Sequence, residues 1–269
     1  MLLALVLAAA AAIAGCGASD TVDPAAVADA AGATAAAGGA QMSITGTVRS
    51  ASLPHPVGYT ATGTTDSTGK KADLVMNMPN VRLEMVMELP VIYIRLPGLE
   101  KQVGKPWVKE NLLKVASSSG INVPGLPQGN DNPRQYVDYL RSIKSGVKRV
   151  GRETIRGAKT THYKATVDLR HYPDRLPAAQ RPQARAGIQR LIQLTGTATY
   201  PVEVWLDSEH RVRRMKMSFS EKPRGQRLTI DQTVDMYDFG LKPRIQPPPG
   251  DQVKDLTALV AKRLQQQQP

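Results

Sequence analysis

The chain has 269 residues, a single cysteine, an aromatic content of 4% and a formal net charge of +12 at pH 7. One cysteine excludes an internal disulfide framework and a cysteine metal site, so stability has to come from an apolar core, for which the length suffices in one domain. The low aromatic content argues against stacking platforms for nucleic acid or sugar.

Residues 2–14 form an uninterrupted apolar run that is followed by Gly15 and Cys16. Its 13 uncharged residues match the core of a signal peptide and fall short of the length that spans a bilayer as a helix. The four residues Ile13-Ala14-Gly15-Cys16 follow the bacterial lipobox pattern of a branched apolar residue, two small residues and cysteine. We therefore predict a signal peptide over residues 1–15.

Cys16 is the predicted site of lipidation, in which its thiol receives a diacylglyceryl group after cleavage of the preceding bond. Two acyl chains give stable anchoring in a membrane, whereas one chain gives only reversible binding. The alternative is an ordinary secretory signal in which Cys16 is incidental. No charged residue precedes Cys16, although signal peptides usually begin with Lys or Arg, so we expect a translation start further upstream.

A lipidated polar tether is predicted over residues 16–23, followed by one folded domain over residues 24–264. Asp23-Pro24 is typical of a helix N-cap with proline in the first turn, and the alanine-rich segment 25–37 stops at two glycines. A first helix is therefore predicted over 25–37. The glutamine-rich tail 265–269 is predicted to be disordered.

From Met42 onward, apolar and polar residues alternate in the pattern of half-buried antiparallel strands. Short connectors, such as Leu89-Pro90, predict a meander of sequential neighbours. Ten strands are predicted, near residues 42–48, 57–61, 72–78, 81–87, 92–96, 147–155, 161–169, 202–206, 215–219 and 228–237.

The passage that begins at Trp107 is predicted to be irregular, with a helical turn over 111–116 and a loop over 117–132. Helices are predicted over 133–143, 177–194 and 251–264 from their apolar periodicity. An α+β fold follows, in which two or three helices cover the apolar face of a single large antiparallel sheet.

Two local patterns carry a resemblance to a known family. They are the hairpin Pro201-Val-Glu-Val-Trp-Leu-Asp207 with the later Arg211-Val-Arg, and the strand Thr-His-Tyr-Lys-Ala-Thr-Val-Asp at 161–168. With the lipobox, the tether, the first helix and the meander, they resemble the LppX/LprAFG-like lipoproteins of high-GC Gram-positive bacteria and, more distantly, the LolA/LolB carriers. The resemblance implies a curved half-barrel that wraps around helices and binds acyl chains of a lipid or lipoglycan in an apolar cavity.

Methionine is concentrated on the predicted strand faces, and its flexible, polarizable side chain adapts to varied ligands. The alternative is a core that the helices fill completely, in a structural or signalling lipoprotein that binds another protein. The predicted cavity lining is Leu74, Met76, Leu83, Met85, Met87, Ile92, Ile94, Met215, Met217 and Phe219.

The positive charge is uneven: residues 141–190 carry a net charge of +10 and residues 211–227 a net charge of +6. Export argues against nucleic acid as the partner. The anionic surface beneath an anchored protein is one expected contact, worth about 1 kcal/mol per basic residue close to it. A solvated face that maintains solubility is the alternative. Arg181, Arg185 and Arg190 are the candidates for contact with the membrane or a lipid head group.

Enzyme signatures such as G-x-S-x-G, H-E-x-x-H and a phosphate-binding glycine loop are absent from the sequence. His162 on an outward strand phase and His210 in a turn favour solvated or capping roles, and Asp207 and Asp231 are predicted to be exposed. We expect no catalytic residue, no metal and no cofactor. The expected protein is a monomer on the outer face of the cell membrane.

Overall fold

The computed structural model describes residues 27, 29–118, 140, 143, 146–221 and 227–266, except for the side chains at 175, 194 and 221. Several predictions lie outside the described residues. They are the signal peptide, the lipidated Cys16 with its tether, the loop beyond residue 118, most of the helix over 133–143, and the end of the tail.

Twelve strands in the described part of the chain form one open, curved sheet with the order β12-β6-β5-β4-β3-β2-β1-β11-β10-β9-β8-β7. All neighbours are antiparallel except β12 and β6, which are parallel. The strands are β1 Gly39–Ser50, β2 Val57–Thr65, β3 Lys71–Met78, β4 Val81–Glu88, β5 Val91–Arg95, β6 Trp107–Asn111, β7 Lys148–Ile155, β8 Ala158–Asp168, β9 Thr199–Leu206, β10 Val212–Glu221, β11 Leu228–Leu241 and β12 Val253–Asp255.

The ten predicted strands correspond to β1–β5 and β7–β11, and two strands were missed. The prediction of an irregular passage at Trp107 is wrong, because β6 pairs with β5 there. Val108 is the one residue of β6 that is buried, so the alternation in sequence is weak. The three residues of β12 lie inside the helix predicted over 251–264, whose helical part begins only at Thr257.

Five α-helices fall in the described residues: α1 Ala30–Ala36, α2 Glu100–Val103, α3 Leu112–Ser118, α4 Arg181–Thr195 and α5 Thr257–Gln266. The predicted helical turn near residue 112 is α3, and the helix predicted from residue 177 is α4. Helix α4 ends at Gly196, whose left-handed φ of 72° favours glycine. None of the described helices combines the length and the apolarity that a membrane span requires.

One face of the sheet, called here the inner face, carries the main core. Ala30 of α1, Ala184 of α4, and Leu140 and Ile143 belong to the same buried cluster as the inner side chains of the strands. The hydroxyl of Thr34 donates to the carbonyl of Ala30 (2.6 Å) and accepts the first backbone N–H of β10 (2.9 Å). These contacts hold α1 against the sheet, and the α+β prediction is confirmed.

Candidate functional site

Directly paired residues on the inner face form rows that cross the sheet, and successive rows are two residues, or about 6.8 Å, apart along each strand. Row 1 consists of Phe219, Ile230, Val48 and Val57, and row 2 of Met217, Gln232, Gly46 and Tyr59. Row 3 consists of Met215, Val234, Ile44, Ala61, Met76 and Leu83. Row 4 consists of Met236, Met42, Gly63, Leu74, Met85 and Ile94, and row 5 of Ala40, Thr65, Ala72, Met87 and Ile92.

The exposure of the inner-face side chains increases from row 5 to row 1. Every residue of row 5 is at most 3% exposed, and Met87 is 1% exposed. All four residues of row 1 are only partly buried, as are Met76 and Leu83 in row 3. All of these residues except Thr65 are apolar, so the inner face is closed at the row 5 end and leaves apolar surface accessible at the row 1 end.

The ten residues predicted to line a cavity all lie on this inner face. Leu74, Met85, Met87, Ile92, Met215 and Met217 are buried. Met76, Leu83, Ile94 and Phe219 are partly buried and pack against the same core. The structure therefore brings the predicted residues onto one continuous surface, and their contact with a ligand stays a prediction.

The three predicted head-group arginines all belong to α4. Arg181 and Arg185 are exposed and Arg190 is partly exposed. The Nε of Arg181 donates to the carbonyl of Leu176 (2.9 Å). Just beyond the end of α4, the hydroxyl of Thr197 donates to the backbone carbonyl of the residue after Phe219. Because Phe219 belongs to row 1, α4 ends beside row 1. Contact of the three arginines with the membrane or a lipid head group stays a prediction.

A polar pair that the sequence prediction missed interrupts row 2. The hydroxyl of Tyr59 donates to Oε1 of Gln232 (2.6 Å), although the two residues lie on strands separated by β1. Burial raises the pKa of Tyr59 to about 12, so its hydroxyl stays protonated at neutral pH. The sequence does contain a sign of this pair, because Gln232 is the polar residue on the apolar phase of β11 between Ile230 and Val234.

On the opposite, outer face, the outward phase predicted for His162 is confirmed, but its solvated role is wrong. The residue is 5% exposed because its ring stacks on Trp205 at a centroid distance of 4.0 Å. Its Nε2 lies 2.8 Å from Oε2 of Glu203, and its Nδ1 lies 3.0 Å from Oε1 of Glu153. The rings of His162 and Trp205 therefore pack against each other on the outer face.

Asp235 also lies on the outer face and is 6% exposed. Burial raises its pKa, but hydrogen bonds from Arg214 (2.6 and 2.9 Å) and Arg156 (3.0 Å) outweigh burial and hold the pKa of Asp235 below its usual range. The two guanidinium groups fix this carboxylate, so we assign it a structural role.

The predicted exposure of Asp207 is wrong, since the residue is 9% exposed. It closes its turn by accepting the backbone N–H groups of Glu209 and Arg211, and it also accepts the Nε–H of Arg213 (2.7 Å). Asp231 is partly exposed and pairs with Arg49. Across the described ranges, no group of three metal-ligating side chains converges.

No family model matches the chain. A protein of Streptomyces griseus, named only by its size and its position between ribosomal-protein genes, is 26% identical over 58% of this chain and 50% of its own length. A Streptomyces coelicolor protein, named provisionally as a lipoprotein, is 25% identical over 76% of this chain and 62% of its own length. The chain thus spans less than two thirds of either relative.

Among solved structures, the lipoprotein LppX of Mycobacterium tuberculosis matches with a TM-score of 0.51 and 14% identity, over 84% of this chain and all of that chain. At this identity the likeness concerns the fold. The sequence resemblance to the LppX/LprAFG-like lipoproteins is therefore confirmed in the fold, an open curved sheet with helices on its inner face.

Proposed function

We propose that this protein is an envelope lipoprotein, anchored through Cys16 on the outer face of the cell membrane. It binds acyl chains of a lipid or lipoglycan on its inner face and carries this ligand across the envelope. The observation that carries the proposal is the graded burial of the inner face. Side chains are buried in row 5, and apolar side chains remain partly exposed in row 1, where a hydrocarbon chain can enter.

Two further findings support this proposal. LppX, which shares the fold, is a lipoprotein, and one sequence relative is named as one. The inner face also suits a hydrocarbon ligand energetically, because each buried CH₂ contributes about 0.8 kcal/mol. Seven of the nine methionines lie in rows 2–5, where their flexible side chains can adjust to a chain inserted among them.

A second candidate function is a lipoprotein with a filled core that binds another protein. Six of the ten predicted lining residues are already buried by the protein itself, which favours this alternative. The two candidates differ in one measurable property, which is the capacity of the inner face for added hydrocarbon.

The test uses the non-acylated protein, with Cys16 replaced by serine, purified and extracted with organic solvent for mass spectrometry. We expect a co-purified lipid and saturable binding of a fluorescent fatty acid. Met76→Lys places a charge in row 3 and is expected to weaken binding at least about tenfold. Val75→Lys is the matched control, because Val75 is the neighbouring residue on the outer phase of β3. A protein that yields no lipid and binds no probe would support the filled-core alternative.

A further inference from the structure

Gln232 places an amide in the middle of the apolar inner face. It lies in row 2 between Met217 of β10 and Gly46 of β1, and it is 8% exposed. Its Oε1 accepts the hydrogen bond from Tyr59. None of the described residues accepts a hydrogen bond from its NH₂ group, and this nitrogen is not one of the buried side-chain atoms that lack a partner. The NH₂ group is therefore accessible and can donate to a ligand, between two apolar residues on the inner phase of β11.

The pair is held in place by a glycine. A Cβ at Gly46 would overlap the ring of Tyr59, so this ring can lie directly over β1 only because residue 46 has no side chain. The hydroxyl of Tyr59 thereby reaches across β1 to Gln232 on β11. Because Oε1 already accepts this bond, the NH₂ of Gln232 is the part of the amide that can bond to another group, as a donor. The pair is a polar site at a fixed position in row 2, next to the partly exposed row 1.

We infer that the Tyr59–Gln232 pair recognises the ester carbonyl of a bound acyl lipid, with the NH₂ of Gln232 donating to the carbonyl oxygen. This inference rests on the proposed function and adds the chemical class of its ligand. The acyl chain runs from row 3 toward row 5, and the head group stays at row 1. The three steps from row 2 to row 5 span about 20 Å of mostly buried side chains, and the acyl chain inserts between them and the helices that cover the inner face.

The chemistry of the rows selects an ester over two other ligands. A free fatty acid would bring a carboxylate into a face whose described residues in rows 2–4 include no charged side chain, and an unpaired buried charge is strongly disfavoured. A pure hydrocarbon would leave the donors of Gln232 unpaired. An ester carbonyl is neutral and accepts a hydrogen bond, so it satisfies the amide without introducing charge.

The experiment compares a short-chain diacyl phosphatidylcholine with its dialkyl ether analogue of equal chain length, which lacks the carbonyls. Affinities are measured by isothermal titration calorimetry of each lipid into the non-acylated protein. The wild type is expected to prefer the ester by about 2- to 10-fold, as expected for one net hydrogen bond. The variant Tyr59→Phe/Gln232→Leu is expected to lose this preference. Thr233→Val, which removes a hydroxyl from the neighbouring outer-phase residue of β11, is the control and should retain it.

Each outcome bears on one proposal. Equal affinity of the wild type for the two analogues, or a preference that survives in the double variant, overturns the role of the pair. Failure of the wild type to bind either analogue overturns the proposed function instead. Should the double variant not fold, Tyr59→Phe/Gln232→Met removes the same polar atoms with a side chain closer to glutamine in shape, and the same loss of preference is expected.

Discussion

Replacing Gly63 by alanine is expected to destabilise the protein by about 3 kcal/mol. Gly63 lies in row 4, where β2 passes between β1 and β3. A Cβ at this position would overlap the carbonyl oxygen of Asp73, and it would stand 2.8 Å from the carbonyl carbon of Asp73 and 3.0 Å from Cα of Leu74, whereas ordinary contact begins at 3.4 Å. All three are backbone atoms and cannot rotate away. Strands β2 and β3 would therefore have to separate to admit the methyl group.

The magnitude follows from the cost of overpacking and from the strand pairing. Adding a methyl group to a packed site costs about 1–3 kcal/mol, and each ladder hydrogen bond that the separation breaks adds about 1 kcal/mol. Urea unfolding followed by far-UV circular dichroism measures the change as a lower midpoint at an unchanged slope. The loss should appear without any ligand, because it arises in the sheet itself.

Gly58→Ala is the matched control on the same strand. A Cβ there meets no heavy atom closer than 3.9 Å, so alanine is expected to leave stability unchanged or raise it by about 0.4–1 kcal/mol through the unfolded state. Equal stability of Gly63→Ala and the wild type would refute the close approach of β2 and β3. Equal losses in both variants would show that the cost is a general one of alanine in this strand.

Three further predictions concern other parts of the molecule. Thr34→Val should cost about 1–3 kcal/mol in unfolding free energy, since it leaves the first backbone N–H of β10 buried without its acceptor. Asp235→Asn should cost about 2 kcal/mol at pH 7. Because the folded-state pKa of Asp235 is lowered, the wild type keeps this advantage at pH values above the unfolded-state pKa of about 3.9. The advantage is lost as the pH falls through the folded-state pKa. The urea midpoints of the two proteins should therefore converge in acid. Reversal of charge at Arg181, Arg185 and Arg190 should weaken sedimentation with anionic vesicles at low salt and have little effect at high salt; unchanged sedimentation at low salt would rule out their contact with the membrane.

The inner face was predictable because strand period alone decides which residues share it. The alternation of Leu74 with Asp73, or of Met85 with Glu84, assigns a face before any tertiary contact is known, and the structure keeps every such assignment among the predicted lining residues. The edge of the sheet was less predictable. Strand β12 has three residues and is defined by its parallel pairing with β6, a long-range contact that no local pattern encodes.

The polar exceptions were unpredictable for a different reason, since each depends on a partner distant in sequence. His162 is buried because Trp205 stacks on it from the neighbouring strand. Asp235 is buried because Arg156 reaches it from the turn between β7 and β8, and Arg214 from β10. Gln232 has its partner Tyr59 two strands away. Alternation in the sequence gives the phase of these residues correctly but contains no information about what covers them.

The distribution of side chains over the rows indicates where the inner face can be selective. The deep rows contain methionine, whose flexible chain accommodates many shapes, so chain length and branching are weakly discriminated there. Row 1 instead contains Phe219, whose ring packs edge-on against Tyr200 at 5.0 Å. Between them lies the pair at Gln232, with a fixed geometry and a directional donor. We therefore expect discrimination among ligands at row 2, where a misplaced carbonyl loses a hydrogen bond. In rows 3–5 we expect acyl chains of different length and branching to be accepted.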